Sequence, residues 1–349
     1  MRIKIAFIFH LLLLDPALHA SWERVLYKNT DCIALNPMTH TMFVGVFNEG
    51  IYKANLKGKG WKNIRFGQGP ALSVYCLAID PNNTKIIYAG TDKGLFKSND
   101  GGWSWKKLSI FAANIAIDPR NSEVVYADRY KTTNGGLSWS RIIQSAYHTF
   151  DVAVDGTTGA VYYTGSILSE ESRGLYRSSD GGSTWRKLLD QTVTVIAIDS
   201  RRPGRIYVGG EGRVYRSLDG GDSWAELEEG LPRGLIRSML IDPINPDIIY
   251  AGVDMAGVYR SEDGGETWSP LGRGFPDTVK IMDLAIDPSS PDFLYAATIS
   301  GVPFTNDYGL WRLELPPRRP FHLVSPLGKL LYMWGGIKMD KGLNPSKRR

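Results

Sequence analysis

The sequence predicts an all-β fold, a seven-bladed β-propeller of four-stranded antiparallel blades, on three observations. The phrase S-x-D-G-G-x-[ST]-W recurs from Ser98, Thr132, Ser178, Ser217 and Ser261, the second copy in the variant form T-T-N-G-G-L-S-W. A phrase repeated every few dozen residues marks a repeat architecture. Seven short apolar strands each end in an acid or amide: Asn36, Asp80, Asp118, Asp155, Asp199, Asp242 and Asp287. Their spacing of roughly 40–45 residues is the period of propeller blades. The ten Trp and 38 Gly of the 349 residues suit many short strands joined by tight turns.

Each blade reads as four strands in order. The inner strand ends at the anchor, as in Ala78-Ile79-Asp80-Pro81. A second strand follows, as in Ile86-Ile87-Tyr88-Ala89, and a third after a glycine, as in Gly94-Leu95-Phe96-Lys97. Alternating apolar positions and the Tyr, Ile and Val content favour strand over helix. The repeated phrase turns the chain into a fourth strand that begins at its Trp. Its structural residues are Asp100 and Trp105, Asn134 and Trp139, Asp180 and Trp185, Asp219 and Trp224, and Asp263 and Trp268. Oxygen side chains accept turn amides, the glycine pair supplies positive φ, and the Trp plate packs between sheets. The turn lacks the alternating ligands and distal Glu of a calcium loop, so no metal is expected there.

Residues 21–25 read as a fourth strand without a blade of their own. They are expected to pair with the last blade and fasten the chain ends, with residues 311–315 competing for that edge or lying beyond it. Asp307, four residues before Trp311, reads as a degenerate copy of the phrase.

Residues 1–20 read as a signal peptide: a basic start, ten apolar residues from Ile5, and a small residue before Ser21. The apolar run is too short to span a bilayer. The expected protein is exported, periplasmic or extracellular, with no transmembrane segment. The domains expected are the signal, the propeller over residues 21–315, and a basic, mostly flexible tail over residues 316–349. The formal charge of +5 divides unevenly, with +7 in the tail, +1 in the signal and −3 in residues 21–315. A nucleic-acid binder carries its positive charge on the folded body, so no nucleic-acid partner is expected. The tail can touch anionic lipid weakly. Cys32 and Cys76 hold the same place in adjacent repeats; a disulfide and two free buried thiols both remain open.

The phrase and the wider pattern I-A-I-D-P…I-Y-A-G…G-V-Y-R-S-x-D-G-G-x-T-W resemble the Asp-box, or bacterial neuraminidase repeat, over residues 21–315. The pattern is similar to sortilin-type seven-bladed propellers, to the photosystem II stability and assembly factor family, and to the xyloglucanase family of glycoside hydrolases. The resemblance implies the fold and leaves activity divided between binders and enzymes. Arg177, Arg216 and Arg260 look like a sialidase cluster. Lys53, Lys97 and Lys131 hold the same place in other blades, so the feature belongs to the scaffold.

Turns between first and second and between third and fourth strands share one face. The opposite face carries the second-to-third turns and the blade-to-blade loops, where binding residues concentrate. Asp92, Asp128 and Asp254 on those turns are the candidates for a glycosidase acid and base. Arg129, Tyr130, Tyr147, His148, Arg233 and Arg237 are the candidate binding residues, their aromatic and charged character suiting a peptide or glycan. No zinc cluster, nucleophile elbow, P-loop or dinucleotide fingerprint occurs, so no cofactor is expected. The function expected is an exported, non-enzymatic binder of a protein or glycan partner, of the assembly or stability factor kind. The alternative is a glycoside hydrolase, xyloglucanase-like before sialidase-like.

Overall fold

The computed structural model describes residues 20–64, 66, 72–144, 149–166, 173–302, 305–316, 321–324 and 330–333. It divides into two units, residues 1–315 and 316–349. In the second, Phe321–Val324 pairs antiparallel with Leu330–Met333.

The first unit is a seven-bladed propeller whose described elements are all strands. Six blades take their four strands in sequence order. Their inner strands are Thr30–Asn36, Val74–Ile79, Ile115–Ile117, Thr149–Val154, Val193–Ile198 and Ile236–Ile241. The seventh runs Val279–Ile286, Phe293–Ser300 and Gly309–Glu314, and its outer strand is Glu23–Leu26 from the other end of the chain. Inner strands of successive blades touch one another around a closed circuit.

The closure differs in one respect from the sequence expectation. Trp311 lies inside the third strand of blade 7, opposite Ala296, so residues 311–314 neither compete for the edge nor lie beyond it. Gly309-Leu310-Trp311-Arg312 matches the Gly-x-Tyr-Arg of the third strands of blades 4 and 6, with Trp in the tyrosine place. Asp307 therefore opens no degenerate box. It accepts a hydrogen bond from Thr278 Oγ1 at 2.9 Å instead.

Packing sits between blades rather than within them. The buried apolar residues fall into seven clusters, one at each seam. Second strands supply much of it, with Tyr88, Tyr162, Tyr207, Tyr250 and Tyr295 almost fully buried. The box then stitches the seams on their outer side. In the first copy, Ser98 Oγ accepts from Gly102 N at 2.8 Å and donates to Asp100 Oδ1 at 2.8 Å. Asp100 also accepts the amides of Trp103 and Ser104, both at 2.9 Å. These donors, the Ser104 hydroxyl first, hold its carboxyl down to about 2.

The basic residue of the third strand has a structural task in five blades, donating to the carbonyl of the first box glycine in the next blade; Arg260, followed by a blade without a box, pairs with Glu262 at 2.8 Å instead. The pairs are Lys53 to Gly101, Lys97 to Gly135, Lys131 to Gly181, Arg177 to Gly220 and Arg216 to Gly264. The buried tyrosines Tyr88, Tyr162 and Tyr207 donate to the same carbonyls.

The two box glycines are not equivalent. Gly101 has φ +76 with nothing within 4 Å of an added Cβ, whereas a Cβ on Gly102, at φ +88, meets Phe43 Cε1 at 2.9 Å. Gly101→Ala is expected to cost about 1 kcal/mol, from backbone strain alone. Gly102→Ala should cost about 2–3 kcal/mol, because the clash with blade 1 adds to the strain. Urea midpoints of the two variants check this; equal losses would refute the role given to the seam contact.

Candidate functional site: the loop face and the channel

Backbone hydrogen bonds fix which loops share the second face. Second-to-third turns meet the blade-to-blade loops repeatedly: Gly50 N to Leu72 O at 2.8 Å, Asp92 N to Ser73 O at 3.1 Å, and Asp254 N to Leu235 O at 3.0 Å. The three candidate carboxylates are used in the same contacts. Asp128 accepts the amides of Ala113 at 2.9 Å and Asn114 at 3.1 Å, with Asn114 Nδ2 at 3.1 Å and Thr149 Oγ1 at 3.3 Å. It adopts φ 45, the left-handed region that a non-glycine residue enters rarely. Asp92 accepts Ser73 N at 3.1 Å and pairs with Lys93 at 3.2 Å. Asp254 accepts from Arg237 Nε at 2.7 Å, while its other oxygen is buried without a partner.

No interaction among the described residues joins Asp92, Asp128 and Asp254 to one another. Each holds a neighbouring loop or arginine. Asp128→Ala is expected to speed amide exchange at Ala113 and Asn114 about tenfold or more, since two charge-assisted bonds are lost. Amides of the box turns should be unchanged. Hydrogen-exchange mass spectrometry checks this, and unchanged exchange at both residues would sink the clamp role.

Of the binding candidates, Arg237 lines the central channel and Arg233 is exposed on the loop before it. Tyr130 is half-buried and packs against the blade 2–3 cluster, and the Arg129 carbonyl accepts Ile142 N at 2.9 Å. Tyr147 and His148 lie outside the described residues. Among the described residues the face leaves six large apolar side chains exposed: Met255 from blade 6, Val302 and Tyr27 at blade 7, Phe47 in blade 1, Tyr75 in blade 2, and Phe111 before blade 3. They form an arc over consecutive blades.

The channel is a cavity of about 360 Å³ with lining from all seven blades. Sequence reasoning missed its main feature, a girdle four residues before each anchor: Cys32, Cys76, Asn114, Asp151, Val195, Ser238 and Asp283. In six blades the inner strand slips register by one residue immediately before this position. A bulge frees a backbone group from its ladder, and side chains of the preceding blade take it up. Asp151 accepts Ile196 N at 2.8 Å, Ser238 Oγ accepts Leu284 N at 2.9 Å, and Asp283 accepts Ile33 N at 3.0 Å. Cys32 Sγ donates toward Val74 O at 3.7 Å. The signal was available in the shared register of the two cysteines, carried through the other five blades.

Both cysteines are free. Burial pushes their thiols well up, which keeps them protonated and unreactive. Burial also raises Asp151 and Asp283 to about 7 and Asp31 to about 6. No group of three or more His, Cys, Asp or Glu arranged to hold a metal occurs among the described residues. No helix there is long and apolar enough to cross a membrane.

The family model of the BNR/Asp-box repeat matches residues 259–270. A xyloglucanase from a Paenibacillus species is 32% identical over 92 residues, which span 24% of this chain and 9% of that enzyme. Among solved structures, the GH74 xyloglucanase from Xanthomonas campestris superposes with a TM-score of 0.67 at 17% identity, over 84% of this chain and 53% of that one. The chain thus spans about half the length of that enzyme. YCF48, solved bound to a D1 peptide, superposes with a TM-score of 0.64 at 12% identity, over 85% of this chain and 97% of that one. The chain is a seven-bladed propeller with a BNR/Asp-box repeat at residues 259–270, similar in fold both to xyloglucanases and to YCF48.

Proposed function

We propose that this chain is an exported binding propeller that holds a protein or glycan partner on its loop face without turning it over. One observation carries the reading. Asp92, Asp128 and Asp254 on the loop face are engaged in holding loops and Arg237, while exposed apolar side chains from Met255 to Phe111 are left for contact. Large apolar side chains left exposed together on one face suit a contact surface. The similarity to YCF48, nearly end to end and solved with a peptide, supports a protein partner and a role in assembly or stability. The 92-residue match to a xyloglucanase favours the second reading, glycoside hydrolysis.

One pair of measurements separates the two. With benzoylphenylalanine placed at Phe47 or Phe111, irradiation is expected to give a defined adduct in the native host. Placement at Leu137 or Leu218, exposed on the box turns, should give none. Adducts from both faces alike would refute a loop-face site. On plant and bacterial glycans no reducing ends should be released; release abolished by Asp128→Asn or Asp254→Asn would establish the hydrolase reading instead.

A further inference from the structure

Charge is divided around the ring. Residues 51–110, from the third strand of blade 1 through the outer strand of blade 2, hold ten Lys or Arg and three Asp. Residues 211–270, the matching stretch of blades 5 and 6, hold five Arg and twelve Asp or Glu. The small net charge of the body thus conceals +7 on one sector and −7 on another.

The basic sector sets lysine against lysine. Lys53 lies directly opposite Lys62 across the third and outer strands of blade 1, and Lys97 opposite Lys106 in blade 2. Like charges in that register destabilise a sheet. Burial first, and then Lys62, push the Lys53 ammonium below its ordinary value. In blade 4 Arg177 lies opposite Arg186, but Arg186 is paired with Asp222, and blades 5 and 6 place Ala225 and Ser269 there. Lys57, Lys59, Lys62, Lys85 and Lys106 are exposed and form no ion pair among the described residues.

Apolar tips stand among these lysines. Trp103 and Leu137, 75% and 81% exposed, follow the glycine pair of their boxes, where blades 4, 5 and 6 carry Ser183, Asp222 and Glu266. Met38, 77% exposed, tops the first turn of blade 1. Asn36 Oδ1 accepts Met38 N at 3.1 Å, and its Nδ2 donates to Thr84 O at 3.2 Å in blade 2. Gly101 N donates to Lys85 O at 2.8 Å, and the Lys53 ammonium lies 5.2 Å from the Trp103 ring centre.

We propose that the box-turn face of blades 1–3 docks on an anionic lipid surface. Met38, Trp103 and Leu137 enter the headgroup layer, and the five lysines lie over the lipid phosphates. Apolar tips on separate turns suit a fluid interface, where Trp is favoured and lysine heads reach the phosphates. Basic residues near such a surface each add to its attraction. This contact lies beyond the loop-face reading and is compatible with it, since a lipid leaves no protein adduct at Leu137.

The test is a vesicle titration of the full chain labelled with nitrobenzoxadiazole at Met38→Cys or Leu137→Cys, the unmodified chain serving as the labelling blank. Vesicles of mixed phosphatidylcholine and phosphatidylglycerol should shift the emission of both labels to the blue. Phosphatidylcholine alone should not, nor should about 1 M salt permit it, where screening acts within ~3 Å. A label at Leu218→Cys, on the box turn of blade 5, should stay unshifted. Lys62→Gln with Lys106→Gln should weaken binding roughly thirtyfold. Its urea midpoint should not fall, because both like-charge pairs are relieved. Trp103→Ala should weaken binding about tenfold. Undiminished binding in either variant would place the contact elsewhere on the chain, and an equal shift at Leu218→Cys would make it non-specific. An equal shift with soluble polyglutamate would assign the patch to a polyanion, and one that grows with protein concentration without lipid would assign it to the acidic sector of a second copy. Each of these four results would overturn the proposal.

Discussion

Trp22→Ala is expected to lower the unfolding free energy by about 3–5 kcal/mol, the range for deleting a large buried aromatic. Trp22 is 5% exposed and stands immediately before the closing strand. Its indole nitrogen donates to Leu271 O at 2.8 Å, and its ring meets Phe275 edge-on at 5.0 Å. Its backbone amide bonds Arg273 O at 2.9 Å, so it fixes the start of the strand that completes blade 7. Alanine would leave a cavity in the blade 6–7 cluster and an unpaired carbonyl at Leu271. Limited proteolysis should then cut near residues 21–26 before the rest of the chain becomes sensitive. Trp103, 75% exposed on a box turn, is the control; its replacement by alanine should change stability by less than about 0.5 kcal/mol. Similar losses at the two positions would remove Trp22 from the role given to it.

The second large effect is a fall in stability as pH rises through neutrality. Asp151 and Asp283 are held near 7 against an ordinary 3.8, chiefly by burial. Between those values the folded chain binds more protons than the unfolded chain. Their contribution is therefore complete below about pH 4 and is lost as pH rises through 7. Asp31, raised to about 6, acts in the same direction. Every tenfold change in a carboxyl's acidity on folding corresponds to about 1.4 kcal/mol. The box carboxylate of Asp100 and the ion-paired Asp247, both lowered to about 2, oppose this only in acid; their share is present above 3.8 and lost as pH falls toward 2. The urea midpoint should be clearly higher at pH 5 than at pH 8.5. Asp151→Asn, which cannot ionise, should narrow the gap. A midpoint that rises with pH, or a gap unchanged in the variant, would count against this account.

Both effects concern residues that the sequence shows with unequal clarity. The ring is legible because each box must satisfy the same turn amides and the same seam, so the same residues recur. The task of Lys97 or Arg216 can be placed in the scaffold by its recurrence alone, although the carbonyl it serves lies in the next blade. Asp128 looks like a free acid beside a shortened turn, because sequence does not show that two amides from another loop point at it. The girdle is harder still. Cys, Asn, Asp, Val and Ser share no chemistry in a pattern search; what they share is a place four residues before the anchor, beside a bulge in six of the seven blades. Trp22 marks the closing strand, but Trp311 misleads, since Trp replaces the usual tyrosine and imitates a box.

Closure by the first strand sets an order on synthesis. The outer edge of blade 7 is filled by residues 23–26, yet the strand they pair with is completed only at residue 314 of 349. Until then the emerging polypeptide holds a curved stack of six sheets with an uncapped apolar flank at each end. The hydrophobic segment around Trp22 waits without a mate until the strand ending at Glu314 has been made. Such waiting surfaces are where nascent chains aggregate. The native ring hides this vulnerability completely, and any truncation before Gly309 would make it permanent.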